Sequence, residues 1–525
     1  MTTIRWTSRL LAAAAGVLAA AAGVAAGSGL AALLTGTVSP IVSVGNAAID
    51  LTPGALKDWA VETFGENDKL VLIGGVFAMV GLIAAAAGVI GLRRRRLALG
   101  ITVALGVVAV VAAAADRTLT ADRWVGLLPS VATLLVSTVA FAWLLSGFAS
   151  TAGRRADVPG DGRPGDDLPS GFDRRRFLVA VLGTGAVAAA GGFLARAYGG
   201  LQAAKSRLSL RIPAPDEAAP PLPAGAQVDV DGVSSFITPN ADFYRVDTAL
   251  QVPDVPAETW QLRIHGMVDE ELNLTFGDLV ERRLIERRIT LTCVSNQVGG
   301  DLLGNATWIG VPVKDLLEEA GAQSGADAVM STSADDMTIG TPLAALTDDR
   351  EAILAIAMNG EPLPLEHGFP VRMVVPGLYG FVSATKWLVD LEVSRFEDFT
   401  AYWTERDWSA RAPIKTSSRV DVPGSFQTLP ADNVRIGGVA WAQTKGIAKV
   451  EVRIDDGDWV EVDLAEEDSV DTWRQWAWTW EDATPGTHEV TVRATDASGY
   501  TQTSERVEPR PNGSTGWHSV QFTVE

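Results

Sequence analysis

Cysteine is almost absent: Cys293 stands alone in 525 residues. No intrachain disulfide can form, and no cysteine-based zinc or iron–sulfur site can be built. Histidine is nearly as scarce. His265, His367, His488 and His518 all lie in the C-terminal part, so the N-terminal part cannot hold a histidine-ligated haem. Charged residues make up only 20%, and they are unevenly spread. Residues 1–198 carry 17 Lys+Arg against 12 Asp+Glu, whereas residues 199–525 carry 26 against 51. So acidic a C-terminal part repels a nucleic-acid backbone and argues against a nucleic-acid partner. With 47% hydrophobic residues the chain is not disordered, and its length calls for more than one structural unit.

The N-terminal part holds five stretches that lack charge for long enough to cross a bilayer: Leu10–Leu34, Leu70–Leu92, Leu97–Ala115, Trp124–Ala149 and Phe177–Ala195. The first exceeds the ~7–15 apolar residues of a signal-peptide core, which favours a retained span over a cleaved one. The basic residues predict the topology. Arg5 and Arg9 precede the first span, and Lys57 and Lys69 share the next loop with five acidic residues. Arg93–Arg96 form a block of four, Arg117 and Arg123 follow, and then Arg154, Arg155, Arg163 and Arg174–Arg176. The positive-inside rule puts the N-terminus and the loops of Arg93 and Arg174 in the cytoplasm, and residues 199–525 outside. The fifth span opens on Asp173-Arg174-Arg175-Arg176-Phe177-Leu178, which resembles a twin-arginine export signal. Paired arginines before an apolar helix also serve as an ordinary cytoplasmic anchor.

Five prolines between 212 and 223 predict a stiff linker over residues 199–228. Beyond it the pattern is mixed. Trp260–His265 alternates like a strand, Phe276–Glu286 and Lys314–Ala320 read as short helices, and Ile289–Val294 and Val371–Val375 suit buried strands. Residues 229–411 are therefore expected to form an α+β domain. From 412 to 525 short strands recur: Lys449–Ile454, Trp459–Leu464, His488–Thr495 and Trp517–Val524, with Trp476, Trp478 and Trp480 alternating. This predicts an all-β, immunoglobulin-like sandwich without its inter-sheet disulfide.

Alone, a cysteine in Leu291-Thr292-Cys293-Val294 reads as a small buried hydrophobe. Its surroundings reverse that reading. The run Thr290–Asp301, the run Asn305–Leu317 with Asn305-Ala306-Thr307-Trp308, the run Met358–Gly377, and Lys386-Trp387-Leu388 resemble the sulfite oxidase family of molybdopterin enzymes, in the same order. Gly438-Val439-Ala440-Trp441, Ala477-Trp478, Arg493-Ala494 and Gly516-Trp517-His518 resemble the family's C-terminal dimerisation domain. The resemblance covers about residues 230–525. It implies a molybdenum–molybdopterin cofactor in residues 229–411, with Cys293 as the metal's thiolate ligand. A soft thiolate suits molybdenum. It further implies cofactor binding by Asn240, Phe243, Tyr244, Ser333, His367, Arg372, Ser383 and Lys386, where cations and backbone donors meet the pterin phosphate.

Two departures bear on the substrate. Trp408, in Tyr402–Trp408, stands where sulfite oxidases carry an active-site tyrosine. The segment Ile237–Tyr244 lacks the arginine that those enzymes use near their oxyanion, and looks more like the bacterial periplasmic branch. The chain is therefore expected to be a membrane-anchored, outward-facing oxidoreductase that transfers an oxygen atom and two electrons, with Cys293 and Trp408 at the catalytic centre. A sulfoxide or related S- or N-oxide is one substrate class, and sulfite is the alternative. A cofactor-free, membrane-tethered binding protein on the same fold is a third reading. Expected partners are a small-molecule substrate, the membrane, a quinone or cytochrome for electron transfer, and a second copy through the C-terminal domain.

Overall fold

Long runs of Ala, Leu, Val and Gly between charged residues wind into helices in the first unit of the computed structural model, which describes residues 6–34, 36–53, 56, 63–64, 68–116, 118–119, 122–148, 172–431 and 434–525. This unit takes in residues 1–202 and 249–254. Its helices are α1 (Trp6–Ala31), α2 (Pro40–Leu51), α3 (Asp68–Gly91), α4 (Arg95–Ala115), α5 (Arg123–Ser146) and α6 (Arg174–Tyr198). All but α2 are long and apolar enough to cross a membrane, and they fall on the five expected stretches. Helix α2 was not anticipated. Its 12 residues are too few to span, and Pro40 opens its first turn.

Helix α1 is gripped by its neighbours through small residues. At Gly16 and Gly88 the backbones of α1 and α3 approach so closely that a Cβ would strike a carbonyl, and Gly29 of α1 meets Gly191 of α6 in the same way. In α5, Thr133 donates to the Gly23 carbonyl at 3.0 Å. Close backbones and interhelical hydroxyl bonds are what hold helices together where apolar burial gives no advantage. Asp173 caps α6 by accepting from the Arg176 N–H at 2.9 Å, so the arginine run lies in the first helical turn. The basic residues Arg5, Lys57, Arg117, Arg154, Arg155 and Arg163 lie outside the described residues.

The second unit comprises residues 203–248 and 255–525. Its entry segment corrects the linker expectation. Residues Leu201–Ser209 are helical, and Arg207 Nε donates to the Pro362 and Leu363 carbonyls at 3.1 and 2.8 Å. Asp216 accepts from the Leu284 N–H at 2.8 Å, and Ala203 and Ala226 are buried in the core. Proline removes backbone donors, but side chains supply the bonds that dock this stretch.

Two sheets carry residues 255–411, the first mixed and the second antiparallel. One orders Leu272–Thr275, Gln261–Gly266, Leu388–Ser394, Ala328–Ser333 and Thr338–Pro342. The other pairs Ile285–Thr292 with Leu303–Pro312, then Ile353–Met358, which also takes Arg372–Val374. The expected helix Phe276–Glu286 is shorter than the sequence suggests. A capping box between Thr275 and Asp278 starts it, but it ends at Val280, and Ile285 already pairs with Gly310. Leu284 and Ile285 are fully buried, so tertiary pairing overrides local helix propensity.

The C-terminal region is β-rich, with two sheets sharing a core around Trp476, Val450, Val492 and Phe522. The expected strand Trp459–Leu464 is split. Val460–Glu461 pairs with Ile447–Ile454 and Asp463–Leu464 with Arg474–Trp480, so buried Val462 marks a crossing between sheets. This region is fastened to the preceding one within the same unit. Arg288 pairs with Asp468 at 2.7 Å, Trp473 Nε1 donates to the Phe236 carbonyl at 3.0 Å, and Arg419 donates to the Gly300 carbonyl at 2.8 Å.

Candidate cofactor site

Strand Ile285–Thr292 ends one residue before Cys293, whose N–H donates to the Leu302 carbonyl at 2.9 Å. The loop from Cys293 to Leu302 is tied at its middle. Asn296 Oδ1 accepts from the Leu302 N–H at 2.9 Å, and Ser514 donates to the Asn296 carbonyl at 2.7 Å. At Gly299 (φ +81°) a Cβ would run into the His518 ring, so glycine is required both by conformation and by contact. Cys293 is 8% exposed, and burial pushes its thiol upward against the opposing hydrogen bonds of Ser295. A bound cation reverses that balance and deprotonates a coordinating thiol.

Across the sheet, buried Asn305 fixes the segment that brings in Asn240, Phe243 and Tyr244. Asn305 Nδ2 donates to the Phe236 carbonyl at 2.8 Å, and its N–H donates to Thr238 Oγ1 at 3.1 Å. Asn240 is held from the other side: its Oδ1 accepts from Asn359 Nδ2 at 2.8 Å, and its Nδ2 donates to Glu361 at 2.6 Å. Phe243 stacks on Tyr244 with centroids 5.2 Å apart, and meets His367 edge-on at 5.5 Å and Trp308 at 5.8 Å. Gly304 makes room for the Phe243 ring, which a Cβ there would approach to 2.7 Å. Tyr244 lies within electrostatic reach of both Cys293 and Arg372, and burial pushes its phenol upward.

His367, Arg372 and Lys386 converge around Gly368. This glycine has φ +108°, and a Cβ on it would lie 3.0 Å from both Arg372 Cβ and Lys386 Cα. His367 is buried, and its Nε2 lies 3.1 Å from the Asn240 carbonyl, so that nitrogen carries the proton. Burial, then the nearby Arg372 charge, pushes its pKa down to about 4, and the ring is neutral. Arg372 is 5% exposed, lies 5.1 Å over the Trp308 ring and donates to the His367 carbonyl at 3.1 Å. Its Nε is buried without a partner. Burial pushes the guanidinium down to about 10. Lys386 Nζ pairs with Asp247 at 2.7 Å, donates to the Glu366 carbonyl at 3.0 Å and sits 4.7 Å over the Trp387 ring. Burial dominates over Asp247 and brings it to about 8.

The remaining expected residues are placed less directly. Ser333 ends its strand and bonds through Oγ to Asp335. Ser383 is fully buried, and its hydroxyl contacts the Leu378 and Tyr379 carbonyls at 3.1 and 3.0 Å, so its proton is spent on its own turn. Trp408 packs at 5.8 Å from Phe381 and 6.3 Å from Trp403, against the core that also holds Phe243 and Tyr379. Tyr379, not anticipated from the sequence, is buried within electrostatic reach of Cys293, and its phenol is pushed up to about 12, chiefly by burial. Trp308 and Asp247 were likewise missed. Trp308 sits inside a matched block, and Asp247 three residues beyond Tyr244.

The site fits a pterin phosphate and a molybdenum centre. A buried guanidinium with an unpartnered Nε calls for an anion. Among the described residues no three His, Cys, Asp or Glu side chains converge on a metal position, so a metal at Cys293 must bring further ligands with it.

Comparison with known proteins gives the same direction. An oxidoreductase molybdopterin binding domain matches residues 249–403. The uncharacterized oxidoreductase YuiH of Bacillus subtilis is 33% identical over 185 residues, covering 34% of this chain and 88% of that protein. Mitochondrial sulfite oxidase of Homo sapiens is 29% identical over 344 residues, or 55% of this chain and 62% of that protein. The chain thus spans about three fifths of the length of the human enzyme, and 52% of the rat one. Among solved structures, the sulfane dehydrogenase SoxCD of Paracoccus pantotrophus aligns with TM-score 0.48 and 22% identity, covering 57% of this chain and 85% of that one.

Proposed function

We propose that this chain, which belongs to the sulfite oxidase family of molybdopterin-dependent oxidoreductases, is a membrane-anchored enzyme facing outward that reduces a neutral S-oxide or N-oxide. The cofactor is molybdopterin, and when bound its molybdenum supplies two-electron oxygen-atom transfer. The chain's own share is to place and surround that centre. Cys293 offers the soft donor, and Arg372 and Lys386 meet the phosphate. His367 stays neutral and orients Asn240. Tyr244 and Tyr379 stay protonated at neutral pH, so each can donate a hydrogen bond toward a substrate oxygen. Reduction of an S-oxide takes two electrons and two protons and releases a sulfide and water. The electrons come from an electron-transfer partner, a quinone or cytochrome. Reading the C-terminal sheets as an immunoglobulin-like domain that pairs two copies belongs to the same proposal.

The observation that carries the substrate class is the engagement of the arginines around Trp408. Arg406 lies 3.7 Å over the Tyr402 ring, donates to the Tyr402 carbonyl at 2.7 Å and pairs with Glu405 at 3.1 Å. Arg411 lies 5.2 Å over the Phe396 ring and 3.6 Å from Asp327. Neither is poised to replace the cation that a sulfite dianion needs, and Trp408 has aromatic neighbours. Sulfite oxidation is the second reading, favoured by the relatives that carry that name. Steady-state assays decide between them: sulfoxides with a reduced dye against sulfite with an artificial acceptor. The proposal expects the sulfoxide to be turned over faster. Sulfite kinetics matching those of dedicated sulfite oxidases overturn it. For orientation, a periplasm-active reporter fused after residue 200 should be active and one near residue 160 silent.

A further inference from the structure

The two buried cations at the phosphate seat are not equivalent. Arg372 has no carboxylate within ion-pair distance among the described residues, whereas Lys386 already has one, Asp247 at 2.7 Å. Asp247 is no surface residue: its side chain is 2% exposed and that of Lys386 9%. The same carboxylate oxygen also takes Arg245 Nε at 2.9 Å, and Arg245 reaches out to solvent. The Lys386 backbone is locked next to this pair. Trp387 holds φ +50°, its Nε1 donates to the Leu365 carbonyl at 2.8 Å, and its ring lies beneath the ammonium.

We propose that Asp247 is a positioning residue for the cofactor: it keeps Lys386 charged and aimed, and leaves Arg372 as the open cation on which an incoming phosphate monoester seats. A lysine buried alone sheds its proton, and its counter-charge is what prevents this. The other groups around Lys386 cannot do so. Arg372 and Arg245 are cations, Glu366 contributes its backbone carbonyl, and His367 is neutral and occupied with Asn240. Arg245 offsets much of the negative charge of Asp247, so the seat as a whole stays positive toward a phosphate. Shared across Arg245 and Lys386, the carboxylate acts as a hinge pin rather than as a competitor for the seat.

This rests on the molybdopterin reading above. The test is pterin content per chain, measured as the oxidised fluorescent product, in full-length wild type, Asp247→Asn, Asp247→Glu, Lys386→Gln and the Asp247→Asn/Lys386→Gln double variant. Asp247→Asn should retain about tenfold less pterin above neutral pH, since one charge-assisted contact is lost. Retention should recover as pH falls and Lys386 regains its proton, while wild type, whose Lys386 sits at about 8, stays flat up to neutral pH and declines only above it. Asp247→Glu should restore retention, and Asp247→Asn should add nothing in the Lys386→Gln background, which a merely structural defect would not reproduce. Unchanged or increased pterin in Asp247→Asn overturns the proposal, the increase marking Asp247 as a competing anion. Additive losses in the double variant overturn it too. If Asp247→Asn does not fold, the comparison of Asp247→Glu with wild type decides, and loss of pterin there counts against the pinning role. A wild-type chain without pterin would instead defeat the cofactor reading itself.

Discussion

The Arg372 guanidinium donates to the His367 carbonyl at 3.1 Å and keeps its Nε buried with no partner. A backbone carbonyl is a poor counter-charge for a cation that is 5% exposed. The arrangement is costly until an anion arrives, which separates two consequences of removing it.

Arg372→Met should therefore act with opposite signs on the empty and the loaded chain. Replacing an uncompensated buried charge by an apolar side chain is worth about 1–4 kcal/mol, so the cofactor-free variant should melt higher by a few degrees. The loaded variant should lose about tenfold in retained pterin. Thermal melts and pterin fluorescence on the same preparations check both. A lower melting point without cofactor would show that Arg372 is compensated by something else.

Cys293→Ser replaces a soft thiolate with a hydroxyl that stays protonated. The volume change is small, so the melting temperature of the empty chain should shift little. Activity should fall by more than about a hundredfold, beyond what loss of an outer contact causes at a metal site. The thiolate-to-molybdenum absorption should vanish, while pterin held by Arg372 and Lys386 remains. Turnover plus the absorption spectrum read this.

Gly368→Ala puts a methyl 3.0 Å from Arg372 Cβ and Lys386 Cα at φ +108°. Strain of that kind costs about 1–3 kcal/mol, and the displaced residues are the two cations of the site. Pterin content should drop more than stability does. Gly360, also at positive φ but with nothing within 4 Å, is the control: its alanine variant should lose only stability.

His367 and His518 give the acid side of the stability profile. Burial pushes each down to about 4, against 6.5 for the free ring. The unfolded chain thus takes protons that the folded chain refuses. Their stabilisation is complete above about pH 6.5, falls as pH drops toward about 4, and levels off below. Asp471, pushed up to about 6 by burial, works in the opposite direction over part of that window. His518→Gln should flatten the urea midpoint between those pH values. An unchanged slope would mean that His518 is already charged in the folded chain.

Much of this was legible in the residues. Charge-free runs marked the five long helices because nothing else in a sequence excludes charge for ~20 residues. Cys293, His367, Arg372 and Lys386 sit in contiguous blocks, so their pattern survives in one dimension. What escaped depends on contacts between distant segments. Arg207 docks on Pro362, and Thr290 bonds to Asn305. Val462 carries its strand from one sheet to the other. Asp247 and Tyr379 carry no local signal, because only the fold buries the acid beside Lys386 and the phenol within electrostatic reach of Cys293. The helix at Phe276 ended early because Leu284 and Ile285 gain more from the core than from another helical turn.

The central claim is that Cys293 and the cluster around Arg372 hold a molybdenum–molybdopterin cofactor. Metal analysis and pterin quantification of the purified full-length chain test it most directly. The account predicts molybdenum and pterin in equal amounts, stoichiometric with the chain. Protein purified from cells that make the cofactor, folded but carrying neither molybdenum nor pterin, would contradict it.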